Sequence, residues 1–240
     1  MLHKNYFYFF CLFFILYNCK DDVTVTFSET LVTTKNNELV EINIPKALEK
    51  NNISSEINLE ISKTVINALH VGETDAINSN SIEESIDLFN KEYHAFNSDF
   101  PDIAQPWEAQ IDGEVLFQSA DIISISITSY VNTGGAHGIT SISFLNFSAS
   151  TGKRIKNEDL IINKKAFENI AKTYFNDALT EDTVLFEPNT FKLPENIGFN
   201  YEGVLLLYNQ YEIAPYSTGI IDFVIPFEKV SSFLSFDNPN

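Results

Sequence analysis

The sequence has 240 residues, 44% of them hydrophobic and 20% charged, and is rich in phenylalanine and tyrosine. Fifteen Lys and Arg face 33 Asp and Glu, a formal net charge of −18. A chain of this length buries a sizeable core, and this acidity excludes nucleic acid and anionic lipid surfaces as electrostatic partners, since both depend on cationic contacts.

His3 and Lys4 precede an apolar run from Tyr6 to Leu16, too short to span a bilayer as a helix. Leu16-Tyr17-Asn18-Cys19 resembles a relaxed lipobox, the bacterial lipoprotein cleavage site, with Tyr17 and Asn18 bulkier than such sites prefer. Lys20, Asp21 and Asp22 resemble the export signal of some Gram-negative lineages, which sends a lipidated protein to the outer cell face. The expectation is a signal peptide over 1–18, lipid on Cys19, and an outer membrane lipoprotein facing the cell exterior. The alternative is an ordinary secretory peptide with an incidental cysteine. Cys11 leaves with the signal, so Cys19 alone remains and no disulfide or thiolate chemistry is expected in the body.

Residues 19–37 read as a lipidated tether with a possible first strand over Val23–Phe27. Leu39–Ile44 alternates and is expected to stop at Pro45. Ile57, Ile61, Val65, Ala68 and Leu69 fall at helical spacing. A polar break at 78–80 leads to Ser81-Ile82-Glu83-Glu84, a capping box in which the hydroxyl and the Glu84 carboxylate each satisfy a free amide. Ile82, Ile86, Phe89, Tyr93 and Phe96 form the apolar stripe behind it. From Trp107 the period becomes two: Ile111, Val115 and Phe117, then Ile123, Ile125, Ile127 and Val131, then Ile142–Phe147 predict an antiparallel meander with one buried face. In it Ser124, Ser126, Thr128 and Tyr130 face away from the core. Phe167, Ile170, Ala171, Tyr174 and Ala178 predict a third helix; a long loop carries Pro188 and Pro194. Val204–Tyr208 and Ile220–Ile225 predict two strands, and Phe227–Phe236 a short closing helix. The fold class expected is α+β, an antiparallel sheet with amphipathic helices packed on one face, divided into subdomains over 38–150 and 151–240.

Two segments carry candidate chemistry. Thr133-Gly134-Gly135-Ala136-His137-Gly138 combines a backbone free to take positive φ with a histidine at its tip, able to serve as base, ligand or hydrogen-bond donor. It also reads as a plain hairpin turn. It is no phosphate loop, because no Lys-Ser/Thr follows and its flanks are strands. Tyr208–Gly219 places Tyr208, Tyr211 and Tyr216 around a Pro215 bend, an amphipathic contact surface or a structural loop covering a sheet end.

The same two segments carry a resemblance. Gly134-Gly135-Ala136-His137-Gly138 before a strand, then Tyr211-Glu212-Ile213-Ala214-Pro215-Tyr216 and Gly219 before the last strand, resemble the paired extracellular domains of lysozyme-binding anti-sigma factors. The same pair precedes the catalytic domain of a class of peptidoglycan deacetylases and occurs in many envelope lipoproteins. The resemblance covers about residues 24–235 and implies an α+β fold; one branch binds lysozyme, and in the deacetylases the pair is accessory. No sigma-binding segment, transmembrane helix or following deacetylase domain is expected here, so neither activity is transferred.

Catalysis has little support in the residues. After the signal the histidines are His70, His94 and His137, with no His-Glu-x-x-His or Gly-x-Ser-x-Gly pattern. Glu83-Glu84 and Glu181-Asp182 read as solvated charge. The expectation is therefore a non-enzymatic binding module without cofactor or metal. Candidate contacts are Gly134, Gly135, His137, Tyr211 and Tyr216, and the partner is a basic extracellular protein such as lysozyme. The alternatives are an envelope enzyme using His137, or a glycan-binding accessory lipoprotein.

Overall fold

A computed structural model describes residues 25–72, 79–102 and 105–236. The signal segment, Cys19 and Lys20-Asp21-Asp22 lie outside the described residues. The chain is α+β, with two sheets, each carrying helices on one face.

The first sheet has the order β1 (Phe27–Leu31), β2 (Val40–Ala47), β3 (Glu108–Gln118), β4 (Ile122–Asn132), β5 (Ile139–Ser148). The first strand thus begins where the expected Val23–Phe27 strand was to end. Between β2 and β3 run α1 (Asn52–Leu69) and α2 (Ile82–Asp99), so these two strands pair in parallel, Val40 beside Ala109 through Asn43 beside Asp112. The helical crossover is what permits this, since parallel neighbours need a long connection. The other pairs are antiparallel.

β2 does not stop at Pro45 as expected but runs on to Ala47. Val32 N–H donates to Ile42 O at 3.0 Å and Leu48 N–H to Thr26 O at 3.0 Å, so the even-numbered residues of β2 bond to β1. The missing N–H of Pro45 faces the β3 side, where the pairing has already ended at Asn43 and Asp112. Proline at an unpaired edge costs no ladder bond.

α1 is capped by Asn51, whose side chain accepts from Ser54 N–H at 2.8 Å. It buries Ile57, Ile61, Val65 and Leu69. α2 opens as the capping box expected: Ser81 Oγ accepts from Glu84 N–H at 3.1 Å, and the Glu84 carboxylate accepts from Asn80 N–H at 2.7 Å. With Ile123, Ile125, Ile127, Leu145 and Phe147 these helices close the first core.

The second sheet has the order β6 (Asn196–Phe199), β7 (Gly203–Tyr208), β8 (Ile221–Pro226). α4 (Lys164–Ala178) packs on it through Phe167, Ala171 and Phe175, after the one-turn α3 (Asn157–Leu160). The expected closing helix is shorter, α5 (Phe227–Val230) followed by a 3-10 turn over Ser231–Phe233. Phe117 and Ile122, from the β3–β4 hairpin, pack in this second core.

The meander was expected to bury one face; in fact the first half of β4, residues 122–127, is covered on both, while Thr128 and Tyr130 remain partly open as expected. Ser124 and Ser126 are buried, because β6 lies over them and Phe199 N–H donates to Ser124 Oγ at 3.0 Å. β6 is four residues long and carries too little alternation to be read from sequence.

Candidate functional site

The Thr133–Gly138 turn joins β4 to β5. Gly134 sits at φ +82°, a conformation side-chain-bearing residues rarely adopt, and its N–H donates to Asn132 Oδ1 at 3.0 Å. Gly135 stands at the open tip. A Cβ on Gly138 would lie 2.4 Å from the Tyr130 ring, so only glycine lets the strand start this close to it.

The 208–219 segment leaves β7 and is tied down along its length. Asn209 lends both amide atoms to β5: its Oδ1 accepts from Ile142 N–H at 2.8 Å, and its Nδ2 donates to Ile142 O at 2.9 Å. Gln210 Oε1 accepts from Thr140 N–H at 3.2 Å, and Asn196 Oδ1 from Phe144 N–H at 3.3 Å. These side chains substitute for a sixth strand along the open edge of β5 and satisfy groups that an exposed edge would leave unpaired. The Glu212 carboxylate accepts from Asn209 N–H at 2.9 Å and Glu195 N–H at 2.8 Å. The Tyr208 hydroxyl donates to Lys192 O; burial, with the nearby Glu212 charge, pushes its pKa up.

So anchored, the segment brings its tyrosines to the glycine turn. The Tyr216 ring lies on the His137 imidazole, centroids 3.6 Å apart and planes within 15°, and the Tyr216 hydroxyl donates to Gly138 O at 3.2 Å. Tyr211, held at φ +67°, sets its half-exposed ring 5.9 Å from that of Tyr216. Gly134, Gly135, His137, Tyr211 and Tyr216 therefore lie in one cluster.

Two neighbours carry no signal in the sequence reading. Trp107 is buried below the turn among Phe89, Tyr93 and Phe96, and its Nε1 has no hydrogen-bond partner among the described residues. A Cβ on Gly134 would sit 3.5 Å from that nitrogen. The second is the outer face of β2–β4. On β3 Glu108, Gln110, Asp112 and Glu114 point outward, alternating with buried Ala109 and Ile111. Glu41 stands beside Gln110, Asn43 beside Asp112, and Tyr130 across from Gln110. Carboxylates thus alternate with amides, which avoids like charges directly opposite. None of the ion pairs among the described residues involves these carboxylates. Tyr130, under Gly138, joins this acidic face to the His137–Tyr216 cluster.

His70 caps the end of α1, and His94 lies on α2 beside the Tyr93 ring, both on elements other than those that carry His137. No group of three potential metal-ligating side chains comes together among the described residues, and no described helix is long and apolar enough to cross a membrane.

Residues 32–140 match the family model described as Deacetylase PdaC, and residues 153–228 that described as Protein of unknown function (DUF3298). No curated protein matches the chain. Among solved structures, a DUF3298 family member from Bacteroides fragilis is 18% identical, with 89% of this chain and 94% of that one covered and a TM-score of 0.65. A DUF3298 family protein from Pseudomonas aeruginosa is 20% identical, with 90% and 96% covered and a TM-score of 0.56. The chain thus joins a PdaC-like region to a DUF3298-like region, in a fold shared with solved DUF3298 proteins.

Proposed function

We propose that this chain is a lipid-anchored binding module on the bacterial cell surface. In this reading it recognises a cationic, lysozyme-like extracellular protein through the His137–Tyr211–Tyr216 cluster and the adjoining acidic face. The observation that carries it is the junction of the two: uncompensated carboxylates at Glu41, Glu108, Asp112 and Glu114 run, by way of Tyr130, into an aromatic cluster on an anchored loop. Acidic surface raises the encounter rate with a basic partner, and tyrosine offers rigid contact area with a polar tip. The PdaC-like match over 32–140 supports a role at the envelope, accessory to glycan chemistry.

The test is binding to immobilised lysozyme at low and at moderate salt, for the unaltered protein and for E108Q/D112N/E114Q. Expected are binding that weakens with salt and a slower association for the triple variant. Absence of any binding by the unaltered protein at low salt ends the lysozyme reading.

A further inference from the structure

Arg154 is the only arginine in the sequence. It follows the Thr151-Gly152 turn after β5, pairs across from Phe147, and lines a groove of about 490 Å³ between α1 and the inner face of β4–β5. One guanidinium nitrogen donates to Phe144 O at 3.0 Å. Arg154 forms no ion pair among the described residues. Glu60, the acidic group whose field reaches it, is bonded to Lys63 at 2.7 Å. An arginine has five N–H donors, so most of this fork is unspent. Arg154 is an exposed residue overall, and only partial desolvation of its guanidinium lowers its pKa.

The lining is chemically unusual for its place in the sheet. The inner face of β4 and β5 builds the first core with Ile125, Ile127 and Leu145, yet the same face continues as Ser129, Ser141 and Ser143. Ser129 is buried there, while Ser141 and Ser143 are half-buried and open to the groove. Ser143 stands opposite Ile127, and Ser141 opposite Ser129, whose hydroxyl donates to Ser141 O at 3.4 Å. The Ser141 and Ser143 hydroxyls have no side-chain partner among the described residues, and Asn67 of α1 adds an amide on the facing wall. A planar fork with free donors, ringed by hydroxyls on an apolar floor, matches a carboxylate by geometry and charge.

We propose that the groove between α1 and the β4–β5 hairpin is a binding site for a ligand carboxylate, held by Arg154 with Ser141 and Ser143 beside it. This site is separate from the aromatic cluster and does not depend on the function proposed above. The carboxylate could come from an acidic sugar or from a peptide end.

The test is a nitrogen-15 NMR titration of the protein with D-glucuronate and with N-acetyl-alanyl-alanine. The neutral controls are glucose and the dipeptide amide. Expected are saturable shifts at 141–143 and 154 with at least one acid and none with the neutral forms. Shifts with glucuronate alone name a saccharide source, and shifts with the peptide alone name a chain end. Arg154→Gln should raise Kd by about tenfold or more, the loss of a charge-assisted bond, with Arg154→Lys in between. Ser143→Leu fills the groove while leaving Arg154 in place and should remove binding in a folded protein. Equal shifts with the neutral forms, no saturable shift with either acid, or binding untouched by Ser143→Leu would overturn the site.

Discussion

The His137 imidazole lies flat against the Tyr216 ring, 3.6 Å between centroids, and the Tyr216 hydroxyl closes on the carbonyl of Gly138, the residue next to that histidine. One tyrosine thus holds the hairpin tip of the first sheet to the anchored loop of the second. Truncating it should free the tip without disturbing either core. Tyr216→Phe keeps the stack and should cost about 1 kcal/mol for the lost hydrogen bond. Tyr216→Ala loses both and should also speed amide exchange over 133–138. Urea unfolding and hydrogen exchange check this; unchanged exchange in the alanine variant would show that the stack does not order the turn.

Gly138→Ala tests the close approach to Tyr130. The added Cβ would stand 2.4 Å from the ring, and such overpacking typically costs about 1–3 kcal/mol. Loss of lysozyme binding in this variant, with the melting transition retained, is the outcome expected if the turn contacts the partner.

Ser81→Ala removes the oxygen that accepts from Glu84 N–H. The expected loss is about 1 kcal/mol, read as a lower urea midpoint with no change in slope. Glu84→Ala should act in the same direction, since its carboxylate holds Asn80 N–H.

Tyr208 makes a prediction about alkaline pH. Its pKa in the folded protein is raised above the ordinary 10, by burial first and by the Glu212 charge second. The unfolded chain therefore ionises this phenol at a pH where the native state still holds the proton. Its contribution is fully present below pH 10 and is lost as pH rises toward the raised native value. Between pH 9 and 11 the stability of the unaltered protein should fall more steeply than that of Tyr208→Phe. Parallel curves would show that this phenol is not linked to folding.

Cys19→Ala tests the anchor. The variant should lack an acyl mass and leave the membrane fraction, because the lipid is the proposed hold. Alanines at Lys20, Asp21 and Asp22 should keep the lipid but remove protease accessibility on whole cells. Equal accessibility would refute the export reading.

Local rules settle much of this protein before any folding. The 3.6-residue stripe of Ile82, Ile86 and Phe89 and the Ser81–Glu84 box determine α2, since both depend only on neighbours within a turn. The alternation of β3 and β4 determines their strands in the same way. The acidity is a property of composition, and the absence of any cysteine after Cys19 is read directly from the sequence.

Tertiary structure decided the rest. The parallel pairing of β2 with β3, the passage of Pro45 within a strand and the burial of Ser124 depend on what lies across the sheet, which no local pattern encodes. The convergence of His137 with Tyr216 is of this kind. It arises because Asn209 and Gln210 bond the edge of β5, side-chain amides standing in for backbone between residues about seventy positions apart. The sequence determined which residues could form a contact surface, and the docking of the second sheet on the first decided that they would form one.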